Sequence, residues 1–279
     1  MALVALASAR GAPGVTTTAV ALALLWPGPA LLAECDTSGG SSVLAGYLRG
    51  GVPHDRGLVG LAVAQRQGAL AEALWAQTGV LAEDRRVLPG PVDAGQAASL
   101  PPLWAPLAGL LRSVASAGTA VVVDAGRLGA EGGALPVLRA ADDVLLVVRS
   151  GLDAAAAARA RLVLLREQLS AAGTARLSLL VVGQGRPYSA AELADVLEVP
   201  VAAALPWDPA AAEAFSVGTG GRRLSGSPLV RAVGALAASL HGTGSPLAST
   251  PPADRPPVAA ALLQGMPTAV AREALAAGG

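Results

Sequence analysis

Lysine, isoleucine and asparagine are missing altogether from these 279 residues, so all 20 basic side chains are arginine. The missing types are those with AT-rich codons, while alanine, glycine, proline and arginine abound. A GC-rich genome accounts for that bias without a functional cause. A single cysteine, Cys35, excludes an internal disulfide. Two histidines, His54 and His241, are too few for a zinc cluster. Charged residues make up only 14% and their signs cancel to zero. No general basic surface is therefore available to hold nucleic acid by counterion release. The arginines of the 153–169 segment, Arg159, Arg161 and Arg166, do not fall on one stripe either. No apolar run approaches the roughly 20 residues needed to cross a bilayer. The apolar start, with Ala-Ser-Ala after it, lacks the positive n-region and the length of a secretory signal. The expectation is a cytoplasmic chain, reaching a membrane only peripherally and through partners.

What is present is apolar: 53% of the chain, enough for one sizeable core. Strand-like runs recur at Leu3–Ala7, Ala30–Glu34, Arg86–Leu88, Thr119–Asp124, Asp143–Val148, Leu177–Val182 and Val201–Leu205. Most are continuously apolar, which suits strands buried on both faces. Helical patterns lie between them, at Thr16–Leu25, Leu58–Gln67, Leu103–Ala117, Leu135–Ala140, Asp153–Leu169, Ala190–Leu197 and Leu229–Leu240. This alternation predicts an α/β fold, a doubly wound and mainly parallel sheet with helices on both faces. One domain is expected over 1–241. Residues 242–257, rich in Pro, Ser and Gly, read as a linker. Residues 258–279 read as a short apolar tail, broken at Gly265-Met266-Pro267.

The chemistry concentrates after the first strand. Ser8-Ala-Arg-Gly-Ala-Pro-Gly-Val-Thr-Thr-Thr18 runs from an apolar strand through a glycine-containing loop into a helix. That is the layout of a phosphate-binding loop. Gly11 and Gly14 permit a tight turn and close approach of backbone to phosphate. The N–H groups at the helix start supply positive field. Thr16 and Thr17 are placed to offer hydroxyls to Mg2+ and a phosphate. Val15 stands where such loops carry a lysine. Two later strands end in acids, Glu34-Cys35-Asp36 and Val123-Asp124. Strand ends of a doubly wound sheet border the ligand crevice. A carboxylate there can hold a metal-bound water or orient an attacking one.

With these motifs in order, the chain resembles the MinD/ParA family of P-loop ATPases. Their deviant phosphate loop, Lys-Gly-Gly-x-Gly-Lys-Thr-Thr, reads here Arg10-Gly11-Ala12-Pro13-Gly14-Val15-Thr16-Thr17. The acidic segment of the family resembles Glu34-Cys35-Asp36-Thr37-Ser38-Gly39-Gly40, and its Walker B strand resembles Val121–Asp124. The next strand is similar to Ala141–Arg149. The adenine-side segment is similar to Leu205-Pro206-Trp207-Asp208-Pro209 and the Ala212–Phe215 that follows. The likeness runs from about Ala2 to Leu240. It implies a homodimer binding ATP or ADP with Mg2+. Arg10, Gly11, Ala12, Pro13, Gly14, Val15, Thr16, Thr17, Pro206 and Asp208 would contact the nucleotide. Thr16, Asp36 and Asp124 would hold the metal, and Asp36 and Asp124 would serve catalysis. Arg10 stands where the family's lysine reaches across to the partner's nucleotide. Ala12 replaces a glycine, Gly183-Gln184 replaces an adenine-side Asn, and Val15 keeps none of the lysine's charge. Hydrolysis is therefore expected to be weak or absent. The resemblance implies a spatial organiser, partitioning or positioning a cellular assembly with a ParB-like or similar partner. The alternative is an inactive scaffold of a Tad-like pilus or secretion system, beside its ATPase. The degenerate loop is similar to that of MinD-like proteins from high-GC Gram-positive bacteria, of the CpaE/TadZ kind.

Other residues read as ordinary structure. His54 is expected in a loop. Cys35, flanked by acids, is expected to be a dull nucleophile. Arg222-Arg223 reads as a solvated turn. Trp26, Trp75, Trp104 and Trp207 read as core or cleft fillers.

Overall fold

The computed structural model describes residues 2–243 except 12, 13, 131, 172–174, 220–223 and 225. The expected tail, most of the expected linker, Ala12, Pro13 and Arg222-Arg223 lie outside the described residues.

Eight strands form one sheet: β1 Leu3–Ser8, β2 Ala30–Glu34, β3 Gly79–Ala82, β4 Arg85–Leu88, β5 Ala120–Arg127, β6 Asp143–Arg149, β7 Arg176–Val182 and β8 Val201–Leu205. Their spatial order is β3-β4-β2-β5-β1-β6-β7-β8. Every neighbouring pair is parallel except β3–β4. All six residues of β1 are buried, as a continuously apolar central strand requires. Its Val4 and Leu6 enter the core on one face of the sheet, and Leu3, Ala5 and Ala7 the core on the other. The period of two along a strand dictates that division.

The helices follow from what each core must cover. They are α1 Val15–Leu25, α2 Leu58–Arg66, α3 Leu70–Ala73, α4 Ala94–Ala97, α5 Trp104–Ser116, α6 Leu135–Ala140, α7 Leu152–Ser170, α8 Ala190–Leu197, α9 Pro209–Ser216 and α10 Pro228–Thr243. Helices α1, α9 and α10 pack on one face. Helices α2, α5, α6, α7 and α8 pack on the other. α5 buries Trp104, Leu107, Ala108, Leu111, Val114 and Ala115, one stripe at helical spacing. α1 is apolar all round because the sheet, α9 and α10 enclose it; nine of its residues are buried. At the opposite end of the sheet from the first loop, Arg176 grips Asp143 through two hydrogen bonds of 2.9 and 2.7 Å, tying β6 to β7 in register.

The expected fold class is therefore present, with three differences in detail. β3, α3, α4 and α9 were not read from the sequence. Gly242 and Thr243, expected to open the linker, instead complete α10, a shift within the usual fraying of a helix end. Trp75 is 45% exposed, whereas Trp26 and Trp104 are core residues. Trp75 lies in a short 3-10 turn before β3, at the edge of the sheet. His54 lies in a loop as expected, its Nε2 2.9 Å from the Gly90 carbonyl oxygen. Among the described residues no helix is long and apolar enough to cross a membrane.

Candidate functional site

The strand order reverses direction around β1, so the loop leaving β1 opens into a crevice at the carboxyl ends of the strands. Gly14 closes that loop at φ 99°, ψ 28°. A side chain there meets the left-handed penalty that glycine escapes. No side chain caps α1, and its first turn carries no acid. The free N–H groups of that turn therefore remain available to an anion. Gly14, Val15, Thr16 and Thr17 all border a cavity of about 540 Å³, within the range of small-ligand pockets. Gly11 borders it too. Val15 is otherwise a core residue, 6% exposed and packed in the apolar cluster around α1.

The acids approach from β2 and β5. Glu34 and Asp124 face each other in register across those two strands. Asp124 is buried and accepts hydrogen bonds from the Thr16 side chain and from the Gly126 N–H at 3.0 Å. Burial pushes its carboxyl up to about 6, with the Asp36 charge adding to the effect. Glu34 is pushed up to about 7, again by burial first, and by Asp124. It accepts from Ser41 Oγ at 2.5 Å and from the Val43 and Gly90 N–H groups at 3.3 and 3.4 Å. Asp36 accepts the Ser38 N–H at 2.9 Å and sits directly over Gly126. Cys35, between the two acids, is buried; burial raises its thiol pKa far above the ordinary range, and Asp124, Glu34 and Asp36 raise it further.

Thr16, Glu34, Asp36 and Asp124 share the rim of a smaller cavity of about 50 Å³. The donors are hard oxygens, the kind Mg2+ selects. Among the described residues no group of three or more His, Cys, Asp or Glu is arranged to hold a metal by itself. The residues present fit a Mg2+–phosphate pair held by Thr16, Asp36 and Asp124.

Pro206, Trp207 and Asp208 form the far wall of the large cavity. Asp208 caps α9 by accepting the Ala211 N–H at 3.1 Å, and accepts Ser227 Oγ at 2.7 Å. Its carboxylate thereby fixes the wall to the start of α10. Arg10 does not border this cavity. It pairs with Asp153 at 3.1 Å, on an exposed surface beside an adjoining cavity of about 160 Å³ that shares Gly11 and Arg149 with the large one. Among the cavity residues not assigned to the site from the sequence are its two arginines, Arg127 and Arg149, which end β5 and β6, and the acid Glu213. Arg149 lies 5.1 Å from the Trp207 ring centroid. The available signal was an arginine closing each apolar strand run, Val-Val-Val-Asp-Ala-Gly-Arg127 and Val-Leu-Leu-Val-Val-Arg149.

No protein-family model matches the sequence, and no curated protein matches it by sequence. Solved structures do match its shape. A ParA family ATPase from Chlorobium tepidum TLS superposes at a TM-score of 0.67 with 16% identity, covering 85% of this chain and 98% of that one. The septum site-determining protein MinD from Pyrococcus horikoshii OT3, solved with Mg-ADP, gives 0.66 and 18%, covering 88% and 99%. A variant of McdA from Cyanothece, solved as its ATP complex, gives 0.65 and 17%, covering 87% and 96%. The fold is that of the ParA/MinD P-loop NTPases.

Proposed function

We propose that this chain is a nucleotide-binding protein that dimerises to position a cellular assembly, with little or no hydrolysis. The observation that carries this reading is the uncapped start of α1 behind Gly14, opening on the large cavity with Thr16 and Asp124 beside it. ATP or ADP would lie between that helix start and the Pro206–Asp208 wall, its phosphates on the N–H groups of the loop. Thr16, Asp36 and Asp124 would hold Mg2+, the chemistry of which is charge neutralisation between phosphate oxygens. Two structural neighbours were solved with Mg-ADP and with ATP, and a third pairs MinD with MinC from Aquifex aeolicus. These support a nucleotide, a metal and a protein partner for this chain. The finer assignment is a degenerate member of the CpaE/TadZ kind from high-GC Gram-positive bacteria.

Val15 favours a second reading for turnover. Without an ammonium at the phosphate, the chain serves as an inactive scaffold of a Tad-like pilus or secretion system. Calorimetric titration with ATP and ADP in Mg2+, followed by phosphate release on the same sample, tests both. Binding with negligible release supports the organiser with a degenerate loop. Absence of binding to either nucleotide overturns it and leaves the scaffold.

A further inference from the structure

The phosphate loop of this chain turns no cation toward the large cavity. Val15 is packed in the apolar core. Arg10 pairs with Asp153 and borders an adjoining smaller cavity, which shares Gly11 and Arg149 with the large one. Yet the large cavity is not without positive side chains. Arg127 and Arg149 both border it. Both are exposed, and among the described residues neither has a carboxylate partner. Arg149 lies over the face of Trp207, and a single cation–π contact is worth little at an exposed site.

Their placement follows from the sheet order. β5 and β6 are the two neighbours of β1. Arg127 is the register partner of Ser8, the last residue before the loop. Arg149 is the last residue of β6, on the other side. One guanidinium therefore stands at each flank of the loop. Three acids share the cavity wall: Asp36, beside the Mg2+ position, Asp208, held by Ala211 and Ser227, and Glu213; among the described residues no ion pair joins any of them to Arg127 or Arg149. Two arginines outside any described ion pair, on either side of an uncapped helix start, offer a receptor for extended negative charge. The planar fork of each guanidinium matches phosphate oxygens two at a time.

We infer that Arg127 and Arg149 take over the phosphate charge that Val15 cannot meet, and make the cavity selective for nucleoside di- and triphosphates over monophosphates. This rests on the nucleotide reading proposed above and deepens it. The division of labour differs from a single ammonium in the loop. Charge arrives from two strand ends, so each arginine meets a different part of the polyphosphate.

The test is calorimetric titration of the full chain with ATP, ADP and AMP in Mg2+ at fixed ionic strength. The proteins are wild type, Arg127→Gln, Arg149→Gln and the corresponding Lys variants. Melting without nucleotide should be unchanged in all of them, since both side chains are exposed. The expected result is a preference of wild type for ATP and ADP over AMP. Each Gln variant should lose roughly 10- to 100-fold in ATP affinity, as loss of a hydrogen bond between charged groups does, with little change for AMP. Each Lys variant should recover part of the loss. Gln variants that bind ATP as tightly as wild type overturn the inference and leave the nucleotide reading standing. So does a wild type that binds ATP and AMP equally. A wild type that binds none of the three overturns both.

Discussion

Gly126 shows how tightly single residues are constrained here. Its φ is 60°, and a Cβ on it would lie within 2.2 Å of the Asp36 Cγ. Its N–H also holds the Asp124 carboxylate. Gly126→Ala must therefore push Asp36 off its place and strain the turn, at about 1–2 kcal/mol for the backbone alone. The expected outcome is a lower melting temperature together with loss of Mg2+-dependent nucleotide binding, read by thermal melting and titration. Val15 sets the opposite trade. Val15→Lys places an ammonium in a position now 6% exposed, so the protein without nucleotide should melt lower. At the same time the new charge should tighten ATP, and saturating ATP should recover the lost melting temperature by linkage. A variant that melts lower and gains no ATP affinity would show that the side chain at 15 stays in the core.

At the scale of elements, β2 and β5 hold two acids side by side in a dry interior, and that has a pH signature. Glu34 moves from its ordinary 4.5 to about 7, and Asp124 from 3.8 to about 6. Between the unfolded and folded values the native state holds protons that the unfolded state has released. Stability therefore falls as pH rises through that window and levels off above it. In EDTA, melting should be highest near pH 4–5 and decline to about pH 7, and Glu34→Gln should flatten the upper part of the decline. The strands that carry these acids were legible because each is a continuous apolar run ended by turn residues. β3 was not, because it is a four-residue edge strand with Val80 at 58% exposure and no core-like run to announce it. α9 carries a readable start, Asp208 as cap with Pro209 after it, but its apolar residues are mostly alanine and make a weak helical pattern. Thr16, Asp36 and Asp124 were legible as a set, since loop and strand-end motifs place them by topology. Glu34, Arg127 and Arg149 were not singled out. Each is visible as a charged residue closing an apolar strand run, but its surroundings depend on which strands become neighbours, which no local pattern records.

The whole molecule carries no net charge, so association would depend on local contacts rather than on a global field. Arg10 is the residue to test. Its pairing with Asp153 is at the surface, with 64% and 69% of the two side chains exposed, and such pairs add little to stability. Arg10→Ala should leave melting unchanged. If the proposed dimer forms in ATP and Arg10 reaches across it, sedimentation should show a smaller dimer fraction for the variant. Identical monomeric profiles with and without ATP would remove that assembly. Cys35 offers a clock for the same molecule. It is the lone thiol, it is buried, and its N–H is bound to the Asp124 carbonyl oxygen at 2.7 Å. A thiol reagent can reach it only when the apolar core packed around it opens, and its N–H bond to Asp124 ties that opening to the β2–β5 seam and the acidic site. Alkylation of the native protein should thus be slow and should track the opening of that seam. A ligand seated against Asp36 and Asp124 should slow it further, so the rate of modification reports occupancy with no label added and no residue changed.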